Sequence, residues 1–320
     1  MSAGASRLGA HRLTADDGLC AAAPIIWSLQ IVASKYSLTH GFTPLPFLAL
    51  RFAMAASAFG LLGFWLERSF RIADRRDRLW LAAAAASMTG NQLAFAYSLR
   101  FTTAVTVAFM FGLMPIVAAL LAAAVGIDRL ARRTLAAGAV SFSGVCLVVV
   151  GVPGGIHELG GDLIGILLAF GTVVTYAAWN VSVARPMRTY SAYRVNSVIL
   201  LSVAVPIEAI GAPKLGGWSF SAPTWAWAGV VYAAIGSLVV GNALWYRAIE
   251  RVGPSRASVY GNLQPFLAVI FAALLLNETV TAVQLAGGVL IAAGIAVSRP
   301  GRPRAVARAV VALEDEAGGE

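Results

Sequence analysis

The chain has 320 residues, 59% of them hydrophobic and only 12% charged, with a net charge of +9 and a mean hydropathy of +0.77. A soluble domain carries about 25% charged residues; this chain is too poor in charge to cover a water-facing surface, and its apolar stretches fill nearly the whole length, which excludes one soluble core with a single anchor. The Lys and Arg residues sit between apolar runs without a stripe of stacking aromatics, which argues against nucleic acid as a partner and leaves the lipid bilayer.

A helix that spans a bilayer needs about 20 predominantly apolar residues, and turn and charge signals divide the chain into ten such segments. After a polar N-terminal tail, 1–17, the first segment (18–38) runs on without a convincing cleavage site, so it reads as a spanning helix and not a signal peptide. It carries Trp27 and Lys35. The second (45–66) carries Arg51 about seven residues, or roughly 10 Å, inside its start, within reach of snorkelling. The third (79–99) holds the amides Asn91 and Gln92 and then Tyr97; the fourth (102–124) holds Pro115; the fifth covers 134–152. The sixth (160–183) contains Trp179 and Asn180, and the seventh (194–211) contains Glu208, the acidic residue placed clearly within a segment. The eighth (224–247) carries Asn242, Trp245 and Tyr246, the ninth (255–276) carries Gln264 and Pro265, and the tenth is 280–298. The tail 299–320 is basic, then acidic, and lacks apolar periodicity. Alternation with period two is absent, so strands do not compete with helices, and the expected fold is an all-α membrane protein of ten transmembrane helices.

Charge sets the expected orientation. With the N-terminus in the cytoplasm, nearly every loop arginine falls on the inner side, and the outer segments hold only Arg100 and Lys214. Both termini are then cytoplasmic in a multi-pass protein of a bacterial-type inner membrane.

The sequence also repeats itself. A shift of 150 residues places Leu113 on Leu263, Pro115 on Pro265, Gly138 on Gly288, Gly144 on Gly294 and Asp128 on Glu278; slightly upstream a shift of 149 places Tyr97 on Tyr246. The two copies, 18–152 and 160–298, hold five segments each, and an odd number makes the second copy enter the membrane from the other side. Inverted repeats are a common plan of secondary transporters, with the substrate site near the midplane between the halves.

Amides in hydrocarbon need partners, so they either join helices or face a wet cavity. Trp27, Asn91, Tyr97, Trp179, Asn180, Asn242, Tyr246 and Gln264 form the candidate lining of one cavity. A phenol, an amide and an indole can hydrogen-bond the ends of a zwitterion while stacking on its apolar part. Lys35 and Arg51 either snorkel and pair structurally or recognise a substrate carboxylate. Pro115 and Pro265 each remove a backbone hydrogen bond, and are expected to kink their segments as packing features or as hinges. Asp128 and Glu278 precede segments whose helix dipoles they would favour, with Asn277 as a cap for the last helix. The isolated histidines, the two cysteines and the lack of a phosphate-cradling Gly-rich loop imply no metal, no cofactor and no ATP hydrolysis, and they do not suggest an enzyme.

Trp27 with Lys35, Pro46-Phe-Leu-Ala-Leu-Arg51-Phe, Ala96-Tyr97 through Thr103 with Leu113-Met-Pro115, and Gln264-Pro265 through Glu278 with Gly288 and Gly294 together resemble the EamA-type branch of the drug/metabolite transporter superfamily over roughly residues 18–300. The first repeat departs from that pattern with Asp128 where the family often shows Glu. The resemblance implies export or exchange of small organic metabolites, often amino acids or related compounds, through a central cavity. The rival within transport is a multidrug exporter; the rival outside it is a structural or sensory membrane subunit, which would pack its helices without a midplane cavity. Cargo, direction and oligomeric state are not written in these motifs.

Overall fold

The computed structural model describes residues 15–126, 132–151, 159–216, 221–252 and 260–298. Among these residues there are helices and no strand. In chain order they are α1 (Ala15–Thr39), α2 (Pro44–Glu67), α3 (Arg75–Phe101), α4 (Ala104–Phe111), α5 (Met114–Ala124), α6 (Arg132–Val150), α7 (Leu159–Ala184), α8 (Ala192–Leu215), α9 (Thr224–Val252), α10 (Gln264–Leu276) and α11 (Ala282–Ser298). Five of them, α1, α2, α7, α8 and α9, are long and apolar enough to cross a membrane, and the α4–α5 pair, bent by 46°, makes a sixth if it counts as one span. This is a multi-pass membrane protein. Helices α6, α10 and α11 are apolar but shorter. Helix α3 is long enough, but it opens on Arg75, Arg76, Asp77 and Arg78 and carries Asn91 and Gln92 in its middle.

Local chemistry sets the helix ends. Asp74 caps α3 by accepting from the Arg76 N–H at 3.0 Å, Thr103 caps α4 through the Thr106 N–H, and Ser191 caps α8 through the Arg194 N–H. The prolines act differently from the sequence expectation. Helix α4 stops at Phe111, Gly112 and Leu113 form a turn, and Pro115 lies in the first turn of α5, where its missing N–H is not needed. Pro265 stands likewise in the first turn of α10, after a turn at Asn262 and Leu263. Each proline therefore begins a new helix beyond a break and does not bend a continuous one. Helix α9 contains a π-helical stretch, Tyr232–Gly241, a widened form found often at functional sites.

Three helix pairs pack most extensively: α6 with α11, α3 with α7, and α2 with α8. Helix α1 lies against α9 and α10, and α4 lies against α10. Small residues bring backbones together at these crossings. A Cβ on Gly144 would stand 2.5 Å from the Gly287 carbonyl oxygen, and one on Gly294 would stand 2.7 Å from that of Ala137.

The bundle has two unlike ends. At one, the arginine-rich end, Arg185 pairs with Asp74 and Asp77 at 3.1 and 2.9 Å, Arg194 with Glu67 at 3.1 Å, and Arg251 with Asp16 at 3.4 Å. At the opposite end side chains bind backbone. Lys35 Nζ donates to the carbonyls of Leu99 and Thr102 at 2.8 and 2.7 Å, and the Glu278 carboxylate accepts from the N–H groups of Ala104 and Val105 at 3.0 and 2.9 Å. Glu278 thus caps α4, not the helix that follows it. Asn277 is left-handed, with φ 53°, and closes α10, so it is not the cap of the last helix. Asp128 lies outside the described residues.

Candidate substrate cavity

A cavity of about 890 Å³ runs through the bundle, with every helix but α6 contributing to its wall. Trp27 reaches it from α1, Arg51 from α2 and Asn91 from α3; Trp179 and Asn180 reach it from α7, and Asn242 and Tyr246 from α9. Both helix breaks open onto it, through Gly112 and Pro115 on one side and Gln264 and Pro265 on the other. The wall continues to Tyr190, Ser191 and Glu250 at the arginine-rich end, whereas no lining residue comes from the corners at the opposite end. The cavity therefore opens toward the arginine-rich end and is closed at the other.

Its floor is a polar chain across four helices. Arg51, 2% exposed, donates from Nε to the Ala233 carbonyl at 3.1 Å and from Nη1 to Gln92 Oε1 at 2.8 Å. Gln92 Nε2 donates to Asn91 Oδ1 at 3.0 Å, and Asn91 Nδ2 donates to the Thr172 carbonyl at 2.8 Å. Each amide is thereby fixed in one orientation, with the Gln92 oxygen toward the guanidinium. Among the described residues no carboxylate pairs with Arg51. A guanidinium has five N–H donors; two of Arg51's are taken by protein acceptors here.

Above this floor the walls are aromatic. Trp27 and Trp245 lie 5.3 Å apart, Tyr176 and Trp179 5.0 Å, and Tyr193 and Tyr246 5.6 Å between ring centroids. Gly241 makes room for the indole of Trp27: a Cβ there would stand 2.8 Å from its Nε1. The charged residues of the wall are the buried Arg51 and, at the mouth, the exposed Glu250.

Ten residues singled out in the sequence meet at this wall: Trp27, Arg51, Asn91, Pro115, Trp179, Asn180, Asn242, Tyr246, Gln264 and Pro265. Tyr97 and Lys35 do not. Tyr97 fails on helical phase. Met88, Asn91, Gln92 and Phe95 present one face of α3 to the cavity, and a residue two beyond Phe95 is turned by about 200°. Its repeat partner Tyr246 does face the cavity because it follows the π-helical stretch of α9, which shifts the phase and has no counterpart in α3. Lys35 is engaged with the C-terminal carbonyls of α3. Sequence reasoning missed Gln30, Ser237 and Asn196 as wall residues. Asn196, an amide within the apolar run of α8, carried the same signal as Asn91.

The sequence profile of the EamA-like transporter family matches twice, at residues 17–150 and 163–299. The "Uncharacterized transporter YyaM" of Bacillus subtilis is 24% identical over 270 residues, covering 82% of this chain and 86% of that protein. A "Probable amino-acid metabolite efflux pump" of Salmonella typhimurium is 26% identical over 297 residues, and one of Escherichia coli is 24% identical over 294; each alignment covers 86% of this chain and 91% of the relative. A solved crystal structure superposes with a TM-score of 0.61 at 18% identity, over 88% of this chain and 96% of that one, a likeness of fold.

Proposed function

Starting from the fact that the chain belongs to the EamA-like transporter family, we propose that it is a secondary transporter that exports or exchanges amino acids or related small carboxylates through this cavity. The observation that carries the reading is Arg51, a buried cation in the wall of an otherwise aromatic and amide-lined cavity, without a protein carboxylate among the described residues. A buried charge is costly unless paired; a substrate carboxylate would supply the pair. The aromatic wall would take the apolar part of the solute and, through ring faces, its ammonium group. The two relatives named as amino-acid metabolite efflux pumps support this choice.

Alternating access would exchange two inverted five-helix repeats. Support comes from the double match of the family profile and from the packing. Under the 150-residue shift, the approach of Gly144 to Gly287 becomes that of Gly294 to Ala137, and both occur. The helix breaks before Pro115 and Pro265 are likewise equivalent, so they are candidate hinges. With both termini cytoplasmic in a bacterial-type inner membrane, as the arginine distribution suggests, the open end faces the cytoplasm.

The second reading, a multidrug exporter, draws on the aromatic wall. Counterflow of a radiolabelled L-amino-acid mixture in proteoliposomes separates the two. Arg51→Gln should reduce amino-acid counterflow by about 10- to 100-fold, the loss of a charge-assisted hydrogen bond worth about 1.5–3 kcal/mol. Counterflow unaffected by Arg51→Gln, or movement of lipophilic cations in place of amino acids, would favour the multidrug reading.

A further inference from the structure

The connections of Arg51 bear on how transport is coupled. Its anchor, Ala233, and the anchor of its amide chain, Thr172, both belong to the second family match, whereas Arg51, Asn91 and Gln92 belong to the first. The cation is thus held between the two halves, where any rocking of one against the other closes around it. In the open cavity water can solvate the guanidinium donors that the protein leaves free. In an occluded intermediate, sealed at both ends, that water is lost. An isolated ion taken out of water costs several kcal/mol, whereas a carboxylate on the guanidinium offsets much of that. The wall cannot supply this carboxylate from within: its acidic residue, Glu250, stands exposed at the mouth, two helical turns beyond Asn242 in α9.

We propose that the protein is an obligate exchanger of carboxylates: with Arg51 unpaired it cannot pass through the occluded state, so it reorients only when an organic anion is bound, and each outward step is matched by an inward one. Arg51 then sets coupling as well as affinity. This inference rests on the carboxylate reading of the cavity, and it makes a claim that reading does not: removing the cation should free the empty carrier.

The test uses full-length protein with Cys20 and Cys146 replaced by alanine and a reporter cysteine at Leu238, which lines the cavity in the π-helical stretch that also carries Ala233. In oriented proteoliposomes with HEPES as the sole anion, a membrane-impermeant maleimide is applied from the side opposite the arginine-rich end. The wild-type background should label slowly, and Arg51→Met should label at least about 10-fold faster, the factor that corresponds to about 1.4 kcal/mol. Fast labelling of the wild-type background, or slow labelling of Arg51→Met with an unchanged melting temperature, overturns the inference. A second measurement compares uptake of a radiolabelled L-amino-acid mixture into vesicles loaded with the unlabelled mixture and into unloaded vesicles. Uptake confined to loaded vesicles is expected, and equal uptake into both overturns exchange. Uptake into neither removes the amino-acid assignment alone, because the maleimide comparison needs no substrate and still decides whether Arg51 restrains the carrier.

Discussion

Two corners of the molecule do the same job with opposite chemistry. At the arginine-rich end the α2–α3 corner meets the α7–α8 corner through Arg185 with Asp74 and Asp77, and through the Tyr190 hydroxyl, which accepts from the Ala73 N–H at 3.1 Å. The proposed two-fold relates this contact to the one between the α8–α9 and α1–α2 corners at the opposite end. There Gly41 and Ala222 touch closely, Phe42 and Trp227 pack edge to face at 5.0 Å, and the Ser37 hydroxyl donates to the Ala226 carbonyl at 2.8 Å. The open end of the cavity is tied by ion pairs with exposed members, and the closed end by backbone approach and apolar contact. Exposed pairs contribute little and exchange readily with water, whereas dry contacts must be broken outright. The difference suggests that opening the closed end is the harder half of the cycle.

The comparison can be broken most directly at Glu278. Its two oxygens accept from the N–H groups of Ala104 and Val105, the first amides of α4. Glu278→Ala orphans both donors in a half-buried site and should cost roughly 2–4 kcal/mol of stability. Glu278→Gln keeps one acceptor oxygen and should cost about half as much. Chemical denaturation of the purified variants gives the first number, and maleimide labelling of the Leu238→Cys reporter from the closed side gives the consequence. If Glu278→Ala is neither less stable nor more accessible, the closed end does not depend on this cap.

A smaller effect is expected at Gly41. Its φ of +106° is a conformation that residues with a Cβ rarely adopt, and a Cβ there would stand 3.0 Å from that of Ala222. Gly41→Ala should destabilise by about 1–2 kcal/mol from backbone strain alone and should also loosen the apolar corner. Ala222→Gly in the same chain relieves the contact but not the strain. Recovery of full stability in that double variant would show that close approach, and not conformation, is what Gly41 provides.

Most of this arrangement could be read from the chain, and the failures have physical causes. The apolar runs located the helices because a bilayer demands length and apolarity together, and the mid-span amides Asn91 and Asn242 pointed to the cavity because hydrocarbon offers them no partner. Arg51 was legible as an anomaly but not as a choice: only its contacts with Ala233 and Gln92 separate a cavity cation from a snorkelling one. Lys35 carried the same sequence signal, yet it is spent on the end of α3. Tyr97 was misplaced because its facing relative to Tyr246 depends on a π-helical stretch that no spacing rule announces. Glu278 was assigned to the nearest helix in sequence, whereas its carboxylate serves a helix more than 170 residues earlier. Local rules find the elements; partners across the bundle come from packing.

The smallest expected effect lies at the ion-paired corner, and it has a sign. The Asp74 carboxyl is held below the usual carboxylate range, first by the Arg76 N–H it caps and then by Arg185. A depressed carboxylate value stabilises the folded protein above the unfolded value of about 4, and that contribution disappears as pH falls through the depressed value. Nothing should therefore change at this residue between neutral pH and about pH 4, and its contribution should fade only below. Asp74→Asn removes the charge at every pH. At neutral pH its melting temperature should drop only slightly, because the pair is half exposed and Arg185 keeps the buried Asp77 as a partner at 2.9 Å. As pH is lowered past 4 the gap between wild type and variant should close, since both then lack the charge. A gap that persists in acid would mean that Asp74 acts through its shape as a helix cap, which asparagine shares poorly, and that the ion pair contributes nothing. The contrast between a charged corner and an apolar one would then rest on Asp77 and Glu67 alone, each of which can be tested by the same pair of measurements.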